Sequence, residues 1–177
     1  MGDAMKNKLQ KQNSKDTTRK MVLTAMITCM AFVLSTFVVF PAMAPFQHFA
    51  NVIAAVILGP FYAFLSAFIC GAMRMATGRT IQAIVGGIFG PILGGILYKK
   101  TKSFVAVWIG EVIGTGFIGA MAAYPLMKYL YGLDLKSPFY FIPFYIPSAL
   151  VGGGMGVAVL YGLKKTGTLE RVTNYLK

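Results

Sequence analysis

The stretch Met21–Phe40 is an apolar run of about 20 residues without a charged side chain. A run of that length matches the hydrocarbon thickness of a bilayer when wound as a helix. It is also longer than the apolar core of a secretory signal, and further runs follow it, so it reads as a retained first helix. Strand periodicity is absent, and continuous apolar runs do not suit the alternating segments of a membrane barrel.

The remaining runs are separated by helix breakers. The stretch from Phe46 to Ala76 is too long for one span. Leu58-Gly59-Pro60 divides it, because Gly and Pro interrupt helices. The sequence therefore predicts helices over Met21–Phe40 (ended by Pro41), Phe46–Leu58, Phe61–Ala76, Ile81–Tyr98, Phe104–Tyr131 (with a bend at Pro125) and Phe139–Leu163. This is an all-α integral membrane protein with a bundle of six transmembrane helices. Residues 1–20 read as a basic leader, frayed or disordered, residues 21–165 as the membrane domain, and residues 166–177 as a short tail. Composition agrees. Hydrophobic residues make up 56% and charged residues 12% of the chain, about half the charged share of a soluble domain.

The net charge of +12 would suggest nucleic acid in a soluble chain. Its distribution points to a membrane instead. With six helices the leader, the Lys99–Lys102 turn and the tail share one face and carry thirteen Lys and Arg. Arg74, Arg79, Lys128 and Lys136 fall on the other. The excess of positive charge marks the cytoplasmic face. Both termini are therefore expected inside, in a multi-pass protein of the cell membrane.

Polar side chains within such helices are costly and are candidates for function. Gln47, His48 and Asn51 have i, i+1, i+4 spacing near the outer end of the second helix. Arg74 ends the third, with Arg79, Thr80 and Gln82 about the next loop. Tyr124 stands near the outer end of the fifth helix, and Phe139, Tyr140, Phe141, Phe144 and Tyr145 cluster at the start of the last. Two readings fit: a small-molecule pocket with aromatic walls and a few convergent polar groups, or interfacial anchoring by an aromatic belt and a snorkelling arginine. Glu111 lies about 10 Å along the fifth helix. It must face the interior, as a substrate contact, a proton-coupling group or a hydrogen-bonded link between helices. Glycines stripe the fourth helix at Gly86, Gly87, Gly90, Gly94 and Gly95, a pattern that permits close helix contact. Cys29 and Cys70 lie in apolar runs and read as small buried hydrophobes.

Other chemistries find no support. Gly94–Thr101 lacks the second glycine of a phosphate loop. One histidine and no paired carboxylates offer neither a metal site nor a hydrolytic centre. No cofactor is expected, and the chain does not read as an enzyme.

Four segments together resemble a known family: Pro45-Phe46-Gln47-His48-Phe49-Ala50-Asn51 running to Leu58-Gly59-Pro60, then Gly71-Ala72-Met73-Arg74, then Gly94–Tyr98, then Gly110-Glu111-Val112-Ile113-Gly114-Thr115-Gly116 with Tyr124-Pro125 downstream. They are similar to the thiazole-type S components (ThiW) of energy-coupling factor vitamin transporters, over about Lys20–Leu163. The resemblance implies a six-helix subunit that captures a thiamine precursor such as hydroxyethylthiazole on the outer side. It also implies partners: a transmembrane coupling subunit, joined to two cytoplasmic ATPases that drive release inward. Ala25-x-x-x-Cys29 resembles the Ala-x-x-x-Ala pair with which the family's first helix faces the coupling subunit. On this reading Tyr124 and Tyr145 stack on the ring, while Gln47, His48 and Asn51 meet its nitrogen and hydroxyl. Arg74, Gln82 and Glu111 complete the expected binding set. Arg79 and Gln82 depart from the family's Gly-Thr-rich loop. Rival readings are a stand-alone carrier or channel coupled through Glu111, and a membrane scaffold without a ligand.

Overall fold

The computed structural model describes residues 2–38 and 44–176, with side chains described from residue 14 onward. Seven continuous helices account for nearly all of the described chain: α1 (Gly2–Phe37), α2 (Pro45–Ile57), α3 (Pro60–Ala76), α4 (Gln82–Thr101), α5 (Phe104–Tyr129), α6 (Ile142–Lys165) and α7 (Thr168–Tyr175). No strand occurs among the described residues. The all-helical expectation is met, and most boundaries fall within a few residues of those read from the sequence.

Local chemistry explains the elements. Pro45 and Pro60 open α2 and α3 at a first-turn position, where proline's missing N–H is not needed. Gly59 has φ +82°, a left-handed conformation that lets a two-residue turn reverse the chain between them. Ser103 caps α5 by accepting a hydrogen bond from Ala106 N at 3.4 Å. Within α5, Gly114–Gly119 adopts a π-helical turn, a local widening that the sequence does not announce.

Some expectations are corrected. The leader is not frayed: α1 runs unbroken from Gly2 into the first apolar run. After Gly2 no glycine or proline interrupts it before Phe37, and Lys, Gln and Arg are good helix formers. Pro41, expected to end the first helix, lies outside the described residues. The expected basic loop is largely helical, since α4 continues through Lys99 and Lys100 to Thr101. The tail carries α7, which buries Leu169. Cys70 is buried as expected, but Cys29 is exposed, because it lies on the side of α1 turned away from the bundle.

Four helices are long and apolar enough to cross a membrane: the Ser14–Phe37 part of α1, α4, α5 and α6. The apolar α2 and α3 are shorter. At about 1.5 Å per residue α2 spans only some 20 Å. It is nonetheless the centre of the bundle. Ten of its thirteen residues are buried, and it packs on α1, α3, α4, α5 and α6. Small residues make this packing possible. A Cβ on Gly110 would lie 2.7 Å from Gly94 Cα, and one on Gly114 equally close to Gly90 Cα, so α4 and α5 touch backbone to backbone. Large apolar side chains point outward instead, among them Met26, Phe37, Phe61, Ile109, Phe117 and Val151. A bilayer solvates such side chains, whereas water does not.

The charges gather at one end. Arg19 donates to Tyr175 O at 3.0 Å, Lys102 lies over the Tyr98 ring, and Lys164 lies over Phe104. The leader, the α4–α5 turn and the tail thus meet, as the charge pattern implied.

Candidate functional site

The central helix carries the polar residues. Gln47, His48 and Asn51 lie on one side of α2, and all three are buried. Buried polar groups lose their water, so each must find a partner in the protein.

His48 and Asn51 find theirs in Glu111, which is fully buried on α5. His48 Nδ1 lies 2.9 Å from Glu111 Oε1. Asn51 Nδ2 donates to the same oxygen at 2.9 Å and to Gly87 O at 3.0 Å. Thr115 Oγ1 donates to that oxygen as well, at 3.2 Å. Three groups thus converge on one carboxylate oxygen. The other oxygen, Oε2, faces α4, where a Cβ on Gly90 would come within 2.4 Å of it. Gly90 therefore makes the space that the carboxylate occupies.

Gln47 turns the other way. Its Nε2 donates to Ala83 O at 3.3 Å, and its Oε1 accepts from Arg74 Nη1. Arg74 is buried to 8% exposure at the end of α3. Its Nε has no hydrogen-bond partner among the described residues, and neither does the Tyr145 hydroxyl.

Beside Gln47 and Arg74 opens a cavity of about 320 Å³. Its walls come from five helices and one loop: Ser35 of α1, Gln47 and His48 of α2, Arg74 of α3, Gln82 and Gly86 of α4, the loop residues Arg79 and Thr80, and Phe144, Tyr145 and Ser148 of α6. The volume is at the small end of ligand sites, which run from about 300 to 1,000 Å³. Tyr145 rests on α4 at Gly86, where a Cβ would lie 2.8 Å from its ring. Ser148 Oγ accepts from Ala44 N at 2.9 Å, tying the start of α2 to α6.

Of the residues singled out in the sequence, Gln47, His48, Arg74, Gln82 and Tyr145 share this cavity. Asn51 and Glu111 do not line it; they stand behind His48. Tyr124 lies apart. Its hydroxyl donates to Leu135 O at 3.4 Å and accepts from Lys128 Nζ at 3.2 Å, facing the α5–α6 connection. Ser35 and Ser148 were not singled out. A lone serine in an apolar run usually bonds back to its own helix, as Ser35 does to Ala31 O, so neither gave a signal. Ala25 and Cys29 are exposed on the outer side of α1, while Thr24, Ile27, Thr28 and Ala31 face the bundle. No group of three His, Cys, Asp or Glu side chains suited to a metal occurs among the described residues.

A family model described as thiamine-precursor transporter protein (ThiW) matches residues 21–166. The chain belongs to the ThiW family. The match covers every residue that lines the cavity, and it includes the α2 segment and the Glu111 segment together. A comparison with individual curated proteins finds no match. ThiW membership and the apolar helices make this a membrane transport protein of thiamine-related vitamin uptake.

Proposed function

We propose that this ThiW protein is the substrate-capture subunit of an energy-coupling factor importer in the cell membrane. In this reading six helices, α1 to α6, sit in the bilayer with both termini in the cytoplasm. The short α2 is enclosed by its neighbours. The cavity opens on the outer side and takes a small heteroaromatic thiamine precursor of the hydroxyethylthiazole class. One observation carries the proposal: a polar cavity of about 320 Å³ set within an apolar bundle, at the end away from the basic cluster. Such a cavity is what a small amphipathic solute needs, with a ring-sized apolar wall at Phe144 and Tyr145 and polar groups opposite. The exposed Ala25 and Cys29 suit a close helix contact with a coupling subunit. Two cytoplasmic ATPases would supply the energy, since the sequence offers no nucleotide motif of its own.

The test is binding and transport with the purified chain. Calorimetry should give saturable binding of hydroxyethylthiazole in detergent. Liposomes holding this chain alone should take up none, and uptake should begin when the coupling subunit, the ATPases and ATP are added. Absence of binding to any thiazole, pyrimidine or thiamine would end the proposal. The buried His48–Glu111 pair favours one rival, a proton-coupled carrier. Uptake by the chain alone, lost in Glu111→Gln, would establish that rival.

A further inference from the structure

Arg74 is an uncompensated charge. It is buried to 8% exposure, and its only hydrogen-bond partner recorded among the described side chains is the neutral amide of Gln47. A buried cation normally has an ionised partner, because the loss of hydration is otherwise unrepaid. None is at hand. The chain has five acidic residues: Asp3, Asp16, Glu111, Asp134 and Glu170. Of these, Asp16, Glu111, Asp134 and Glu170 do not line the cavity, whose described walls hold no acid. Glu111 stands behind His48 and is engaged with it, Asn51 and Thr115. No ion pair to Arg74 or Arg79 occurs among the described residues, and residues 39–43, which precede the α2 wall, carry no acid in sequence. The carboxyl end of α3 supplies only a partial negative charge.

The cavity adds a second cation, Arg79, on the loop that follows α3. It also adds donors without partners. Arg74 Nε–H and the Tyr145 hydroxyl are buried and unpaired. Thr80 and Gln82 stand nearby on the same wall. Two guanidinium groups with further donors and no carboxylate form the usual recognition set for a planar or tetrahedral oxyanion. Arg79 is exposed to solvent, so a neutral thiazole alcohol would leave the buried Arg74 charge unmet.

From this we infer that the preferred ligand is anionic: a small heteroaromatic ring bearing a carboxylate or phosphate, with the anion held by Arg74 and Arg79 and the ring against Phe144 and Tyr145. The inference rests on the proposal that this cavity binds a thiamine precursor, and it narrows the ligand to one charge class.

The experiment compares three probes on the purified protein by calorimetry: hydroxyethylthiazole, its phosphate ester and a methylthiazole carboxylate. At least one anion should bind about tenfold more tightly than the neutral alcohol, and the preference should shrink as salt is raised. Arg74→Gln should bring the ratio of anion to neutral affinity near one. Arg74→Lys should keep part of it, because charge survives while the fork is lost. Arg79→Gln should lower it by a smaller factor, and it guards against a misfolded Arg74 variant. Equal affinity for all three probes, or equal weakening of all three by Arg74→Gln, would overturn the inference while leaving thiazole capture intact. Binding of none of the thiazoles would remove the capture reading itself. In that event benzoate against benzamide, with the same arginine variants, still decides whether the cavity selects anions.

Discussion

Toward α5, His48 and Asn51 of α2 enter a buried cluster around Glu111. Toward α3, Gln47 of the same helix face meets Arg74 at the wall of a cavity where donors remain unpaired. The first cluster lies between α2, α4 and α5, roofed by Gly87 and Gly90; three groups share Glu111 Oε1, while Oε2 has no hydrogen-bond partner among the described residues and no buried donor group is left over. The second contains an arginine, a tyrosine and a loop arginine with no acid among them. Polar groups in a low-dielectric interior are strong when satisfied and costly when not. Under the proposed function the difference divides labour: the Glu111 cluster sets how α2, α4 and α5 pack, and the cavity side takes the ligand. His48 belongs to both, since it bonds Glu111 and also lines the cavity.

The largest effect is expected at Glu111. Glu111→Ala leaves His48, Asn51 and Thr115 without their common acceptor. Breaking a buried pair of this kind costs on the order of 3–5 kcal/mol. Thermal unfolding of the purified protein in detergent should show it as a marked loss of stability. A variant that unfolds like the parent yet binds no thiazole would break the comparison, because the Glu111 cluster would then belong to the site.

Two glycines on α4 sharpen the contrast. A Cβ on Gly90 would press on Glu111 Oε2 at 2.4 Å and Thr115 Oγ1 at 2.6 Å. Both are fixed in the Glu111 cluster, so Gly90→Ala should destabilise by about 1–3 kcal/mol. A Cβ on Gly87 would meet Gln47 Nε2 at 2.2 Å. That amide ends a flexible side chain, so Gly87→Ala should cost less stability, about 1 kcal/mol, and chiefly weaken ligand binding by displacing Gln47. Paired unfolding and calorimetry measurements check both. The same outcome for both glycines would erase the distinction between the two sides.

How much of this could be read in the sequence depends on the range of each contact. The helices were legible because twenty-residue apolar runs and Gly-Pro breaks are local signals. Gln47, His48 and Asn51 were legible as one group because three and four residues bring side chains to one helix face. That Glu111 must find buried partners was clear from its cost in an apolar helix. Which partners it finds was not. His48 and Glu111 are 63 residues apart, and Gln47 and Arg74 are 27 apart. Such pairs depend on how helices cross, which no single segment encodes. The split between Gln47 and Asn51 was hidden for the same reason: one face of α2 looks toward two different neighbours. Tyr124 gave the signal of any tyrosine at a membrane end, and that signal does not separate a pocket wall from a belt. The π-helical turn at Gly114–Gly119 also precedes Tyr124 in α5, and glycines alone do not specify it.

The next effect is a contrast between neighbours on α2. Asn51→Ala removes a donor from Glu111 and from Gly87 O. Its cost should fall on stability, about 1–3 kcal/mol, with ligand affinity changed little in the folded fraction. Gln47→Ala removes the one acceptor recorded for Arg74. Its cost should fall on binding, by about tenfold, since the arginine loses its orientation. Calorimetry and unfolding on both variants test the assignment, and a reversal of the two outcomes would move Asn51 into the site and Gln47 into the scaffold.

The smallest effect carries a sign that separates the two sides most sharply. The Tyr145 hydroxyl is buried and unpaired, on a ring packed against Gly86. Tyr145→Phe removes the hydroxyl and keeps the ring. In the Glu111 cluster such a deletion would orphan a partner and destabilise. Here no partner is left behind, so the free protein should keep its stability or gain up to about 1 kcal/mol. Ligand affinity should fall severalfold, because the hydroxyl is available as a donor only to an occupant of the cavity. Thermal unfolding without ligand and calorimetry with it give opposite signs if the hydroxyl serves binding. A destabilised free protein with unchanged affinity would instead make Tyr145 part of the scaffold, and the cavity side would extend no further than Gln47 and Arg74.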